Sequence, residues 1–268
     1  ILARGIFCCT SNSQSMTSTL ADGDIFPLTS SRYGIAISWD SHGHETIDVD
    51  LQAVIVDEGG RVIDAVYYNN LKALRCITHS GDEQTGEKEG FDETIWVSLA
   101  KVPSNVRLIV FVVAAYQGGR LRNVKNGMIH VLEDRASTEV ARFAMEQSEA
   151  EVDAVAMMLR SGTNEWSLRV LDVDAQVGKH FIDILEPTIG SIVRSIIPSA
   201  PKRLKVAFAM EKGSVVDLPQ SSTIQNIVAG LGWDVDDGEV DLDVAAVIFD
   251  GKAGKGVKNS CLGFNAKA

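Results

Sequence analysis

The chain has 268 residues, 45% of them hydrophobic, and a formal net charge of −11 at pH 7. That length holds one large or two small domains, and that apolar content is enough for a true core. The acidic balance argues against a phosphate-backbone binder, which needs a basic patch, and the longest apolar run, Leu108 to Tyr116, is too short to cross a bilayer.

Residues 1–17, rich in Ser, Thr and Cys, read as a loose tail. A β pattern begins near Asp22. Ile35 to Trp39 forms a short apolar strand ending at Asp40, followed by the polar turn Ser41 to Glu45. The next strand runs from Ile47 to Val56. Ile47, Val49, Leu51, Ala53 and Ile55 share one face by period two, so Asp48 and Asp50 share the other. Asp57-Glu58-Gly59-Gly60 is a hairpin turn, and the strand Arg61 to Tyr68 ends in Asn69-Asn70. Asparagine amides form turns and also serve as oxygen donors to calcium.

Gly81 to Glu93 is an acidic loop of six carboxylates and one lysine, broken by three glycines. Two like charges ~5 Å apart repel by roughly 3 kcal/mol at an effective dielectric of ~20. Such a loop either splays into water or recruits a cation, and hard oxygen donors on a tightly turning loop suit calcium. Beyond it, Thr94 to Leu99 alternates as a strand. Leu108 to Tyr116 reads as a central strand buried on both faces. Met128 to Leu132, Val140 to Met145, Val152 to Arg160 and Trp166 to Leu171 add short strands at the spacing of a β-sandwich.

The pattern changes at Val177. Phe181, Leu185, Ile189, Ile192, Val193 and Ile196 recur at helical spacing, which predicts an amphipathic interdomain helix to about Ile197, kinked or split at Pro187. An internal repeat follows. Trp233-Asp234 and the stretch Asp241 to Asp250 match Trp39-Asp40 and the stretch Asp48 to Asp57. This second copy stops before any acidic loop. The expected organisation is a tail (1–17), a β-sandwich domain (18–175), a helical linker (176–202) and an incomplete second repeat (203–268). The exposed edges of that repeat are expected to pair with the first domain or with another chain.

Together these motifs resemble the tellurium-resistance TerD family in tandem. Gly230-Leu231-Gly232-Trp233-Asp234 fits the family's lead-in. Asp48/Asp50 and Asp241/Asp243 fit its Asp-hydrophobic-Asp strand, and Tyr68-Asn69-Asn70 fits its turn. In the family's acidic loop Gly81, Asp82, Thr85, Gly86, Glu87, Gly90, Asp92 and Glu93 match, whereas Glu83, Lys88, Glu89 and Phe91 depart. The resemblance implies a mainly β, sandwich fold binding one or two calcium ions at one end, and a link to stress and tellurite resistance. The candidate ligands are Asp40, Asp48, Asp50, Asn69, Asp82, Thr85, Glu87, Glu89, Asp92 and Glu93.

Competing chemistries are weaker. Asp82 to Glu93 spans twelve residues and ends in Glu, but its sixth position is Glu87 where an EF-hand needs Gly. His42 and His44 lack a third zinc ligand at suitable spacing, and Cys8, Cys9, Cys76 and Cys261 lack zinc-knuckle spacing. The cysteine usage and the lack of a glycosylation sequon or signal peptide predict a reducing, cytoplasmic setting. No nucleophile elbow, Walker loop or dinucleotide fingerprint is present, so the expected role is non-enzymatic: a calcium-binding scaffold or sensor with a protein partner. The alternative is a binder of a cyclic nucleotide or other phosphate compound held through the calcium.

Overall fold

The computed structural model describes residues 17–40, 46–134, 137–162, 165–202, 204, 246–249 and 256–262. The chain divides into two compact units, Ile1–Ser221 and Ser222–Ala268. Among the described residues of the first unit thirteen strands run in order: β1 (Ser18–Thr19), β2 (Ile25–Leu28), β3 (Tyr33–Asp40), β4 (Asp48–Asp57), β5 (Val62–Val66), β6 (Lys72–Ala73), β7 (Ile77–His79), β8 (Glu93–Val97), β9 (Val106–Gln117), β10 (Lys125–Glu133), β11 (Thr138–Ala144), β12 (Val152–Gly162) and β13 (Glu165–Val170). They form two sheets. One has the order β1-β11-β10-β3-β8-β7-β6, the other β2-β13-β12-β9-β4-β5. The mainly β, sandwich expectation holds.

The inner faces of both sheets make the main core. Ile35 and Ile37 of β3, Leu51 and Ile55 of β4, Ile95 of β8 and Phe111 of β9 are all fully buried there. Each such side chain contributes roughly 1.5–3 kcal/mol when taken out of water. β9 is apolar on both faces for a structural reason. Ile109, Phe111 and Val113 enter the main core, while Leu108, Val110 and Val112 face a second cluster built with Phe181, Ile184, Ile189 and Val193. The segment after β13 therefore covers the outer face of the six-stranded sheet.

That segment is less helical than its periodicity predicts. The α-helix α1 is confined to Gly190–Ile196, preceded by an irregular turn at Leu185–Ile189. Glu186, before Pro187, is extended at φ −135° and ψ 135°. A proline ring clashes with a helical predecessor, so an amphipathic pattern running through Pro187 cannot wind continuously. Gly60, at the β4–β5 turn, takes φ +75°, and a Cβ there would lie 2.2 Å from that of Ala200. Glycine at this turn thus serves the docking of the covering segment as well as the hairpin.

In the second unit β14 (Ala246–Phe249) and β15 (Gly256–Leu262) form an antiparallel hairpin. Ala246 pairs with Leu262 and Val247 with Cys261, as Ala53 pairs with Val66 and Val54 with Ala65 in the first unit. The tail 1–16, the His42–His44 pair, and Asp234, Asp241 and Asp243 lie outside the described residues. Among the described residues no helix is long and apolar enough to cross a membrane.

Candidate metal centre

β4 is a central strand buried along its whole length, yet it opens with two aspartates. Val49 and Leu51 enter the main core, which turns Asp48 and Asp50 to the outer face by strand alternation. On that face Gln52 Oε1 accepts from Phe181 N–H at 2.8 Å, closing the covering segment just short of the aspartates.

The same end of β4 lacks a backbone neighbour on one side. β5 accompanies it only as far as Ala53, because the chain turns back through Tyr67 to Asn70. Two side chains take the missing strand's place. Leu51 N–H donates to Glu93 Oε2 at 2.7 Å, and His79 Nε2 lies 3.0 Å from Leu51 O. His79 Nδ1 accepts from Gly81 N–H at 3.0 Å, which makes Nε2 the donor to that carbonyl. Glu93 Oε1 in turn accepts from Glu83 N–H at 3.2 Å. Both side chains are fully buried. His79 of β7, before the acidic loop, and Glu93 of β8, at its close, thereby tie the opposite sheet to β4.

The far end of the loop is pinned to β3. Trp39 N–H donates to Asp92 Oδ2 at 3.0 Å, and Asp92 N–H donates to Ile37 O at 2.9 Å. Gly86, at φ +63°, rests on the Trp39 ring; a Cβ there would come within 2.4 Å of Nε1. Only glycine permits that approach with that backbone. Lys88 Nζ donates to Asp92 O at 3.0 Å, so the lysine that departs from the family pattern braces the loop's own main chain. Phe91, the other departure, packs on the His130 ring with centroids 4.8 Å apart.

These constraints bring ligand oxygens of Asp48, Asp50 and Asp82 within 4.8 Å of one another. Asp48 Oδ1 is buried, with no hydrogen-bond partner among the described residues. Burial first, then the charges of Asp82, Glu93 and Glu83, push the Asp48 carboxyl up to about 6. Burial also raises Asp92, against the opposing pull of Trp39 N–H, and its Oδ1 likewise lacks a hydrogen-bond partner. A cation would relieve both the repulsion and the unmet acceptor. The donor set is oxygen only, which suits a hard divalent ion; His79 has both nitrogens committed and offers no ligand for a softer one.

The expected ligands thus take different positions. Asp48, Asp50 and Asp82 converge. Asp92 and Glu93 are framework carboxylates that cap main-chain donors, with Asp92 Oδ1 still uncommitted. Asp40 accepts from Asn126 Nδ2 at 2.6 Å. Thr85 donates its hydroxyl to Glu83 Oε1 at 2.6 Å, which holds Glu83 below the usual carboxylate range. Glu87 and Glu89 are exposed, and Asn69 is exposed in the Tyr67 to Asn70 turn. No sequence motif marks His79, because its role depends on β5 ending early, which no local pattern announces.

Known proteins place this architecture. The chain is 29% identical over 153 residues to tellurium resistance protein TerZ of Serratia marcescens, covering 57% of this chain and 78% of that protein. It is 29% identical over 181 residues to general stress protein 16U of Bacillus subtilis, covering 61% and 93%. Among solved structures, a homologue of telluride resistance protein TerD from Streptomyces coelicolor A3(2) aligns with a TM-score of 0.50 at 20% identity, over 57% of this chain and 94% of that one. That likeness shows the fold. Residues 16–178, more than half of the chain, match the TerD domain, and the chain belongs to the TerD family.

Proposed function

We propose that this protein is a non-enzymatic, cytoplasmic calcium binder that acts in a stress response as a scaffold or sensor for a protein partner. The observation that carries the reading is the convergence of Asp48, Asp50 and Asp82, with Asp48 Oδ1 buried and without a hydrogen-bond partner among the described residues. These three carboxylates would hold the ion, and Asp92 Oδ1 is the next buried acceptor on the same loop. An ion there would neutralise the charge on which β4 and the loop meet. It would also stiffen the exposed stretch from Asp82 to Gly90, the surface offered to a partner. Relatives named for tellurium resistance and general stress support the cellular role. The match of Trp233-Asp234 and Asp241 to Asp250 with Trp39-Asp40 and Asp48 to Asp57 supports a tandem arrangement.

The test is calcium calorimetry on the metal-stripped full chain, with thermal melts at matched calcium concentrations. Calcium at about 100 times its Kd should add roughly 2.7 kcal/mol of stability. Asp82 is exposed and repels Asp48, so Asp82→Ala should weaken calcium by at least about tenfold without lowering the metal-free melt. Absence of both heat and stabilisation in the wild-type protein would defeat the reading.

A further inference from the structure

A second buried carboxylate has no part in that site. Asp153 lies near the start of β12, opposite Val113 of β9, on the face that looks between the sheets. It is 6% exposed, and its Oδ1 has no hydrogen-bond partner among the described residues. It lines a cavity of about 440 Å³ between the ends of β11, β12 and β13. Phe143, Met145 and Val155 supply apolar wall, Glu146 a half-buried carboxylate, and Asp22, Asp172 and Asp174 exposed ones; among the described residues no lysine or arginine lines the cavity.

A desolvated carboxylate with an unmet acceptor is costly unless a donor or cation reaches it. Burial, then Glu146 and Asp22, push the Asp153 carboxyl up to about 7, against the weaker opposing pull of the Ala154 backbone N–H. The size and spacing of the site select the kind of cation. Among the described residues only Asp48, Asp50 and Asp82 bring three ligating oxygens within 4.8 Å, so the carboxylates around this cavity are too spread for a bare metal ion. The volume falls in the range of small-molecule sites, and an apolar wall carrying an aromatic ring suits an alkyl chain ending in an ammonium.

We propose that this cavity binds an organic diamine or polyamine, with one ammonium paired to Asp153, its methylenes on Phe143, Met145 and Val155, and a second ammonium at the exposed carboxylates. The class is set by one deep anion, apolar wall between, and further anions outside. It does not depend on the calcium reading.

The probe is 1,5-diaminopentane, titrated calorimetrically into the full chain at about 0.15 M salt, where diffuse attraction to an acidic surface is largely screened. Saturable binding is expected, weakened at least tenfold by Asp153→Asn and unchanged by Asp82→Asn. Asp153→Asn removes a buried charge and should melt no lower than wild type, so loss of binding reads the site. The exposed pair Asp22→Asn/Asp172→Asn provides an independent arm: it should weaken the diamine several-fold and leave n-pentylamine unaffected. Methylammonium, without an apolar body, should bind at least tenfold more weakly than n-pentylamine. Absence of millimolar binding, equal binding by wild type and Asp153→Asn, or equal losses in Asp153→Asn and Asp82→Asn would each overturn the proposal.

Discussion

Asp48 and Asp153 sit on the two strands that flank β9, near the same end: Asp48 opposite Gln117, Asp153 opposite Val113. Both are buried, both keep an oxygen with no hydrogen-bond partner among the described residues, and both are pushed up, to about 6 and about 7. Their surroundings differ. Asp48 faces out beside Asp50, under a loop that brings Asp82 within 4.8 Å of both. Asp153 faces in, towards open space, with its nearest anions spread around a cavity. Burial creates the same electrostatic demand at both places. The distance to the next oxygen decides whether a point charge or an extended cation answers it.

The largest predicted effect separates the two by pH. Asp153 has a folded pKa of about 7 against an ordinary 3.8, so the folded state binds the proton more tightly. Its stabilising contribution is complete below pH 3.8 and is lost as pH rises through 7. His180 opposes this: burial pushes it down to about 4, so it costs stability as pH falls from 6.5 towards 4. The measurement is therefore the difference in unfolding free energy between Asp153→Asn and wild type, both metal-stripped. It should grow from near zero at pH 4 to at most about 4 kcal/mol above pH 7.5. A flat difference would mean that Asp153 is not desolvated.

Glu93→Ala comes next. It strips the acceptor from Leu51 N–H and Glu83 N–H in a fully buried position, at a cost of about 3 kcal/mol in chemical denaturation. Glu93→Gln, which keeps an acceptor, should cost less than half of that. Gly86→Ala should cost about 1–3 kcal/mol through its positive φ and the Trp39 ring, and should weaken calcium while sparing the diamine site. The smallest effect belongs to Lys88→Ala. Removing an exposed donor to Asp92 O should change stability by less than about 1 kcal/mol, and loss of its charge should tighten calcium a few-fold. Should Lys88→Ala instead abolish calcium binding, the brace would matter more than the charge.

The strands were legible to a few residues because their burial follows period two or a continuous apolar run, as in β4 and β9. The short strands Ser18–Thr19, Ile25–Leu28, Lys72–Ala73 and Ile77–His79 were not, since two to four residues carry no period. The helical pattern from Phe181 was real as an apolar stripe and misleading as a helix, because the stripe is set by the sheet it covers while Pro187 governs the winding. The Asp48/Asp50 pair could be read from alternation. Which of six loop carboxylates joins it could not, because all six share the same local chemistry.

By itself the sequence determined the sandwich, the strand faces and the presence of an acidic loop over an aspartate-bearing strand, since these follow from side-chain period and glycine placement within a few residues. Only the tertiary structure decided that Glu93 and His79 replace a missing strand, that Asp92 anchors Trp39, that Asp82 is the carboxylate delivered to β4, and that Asp153 faces a cavity. Each of these depends on where two distant segments stop relative to one another. A carboxylate's role is fixed by the donors and anions within a few ångströms of it, and those come from other strands.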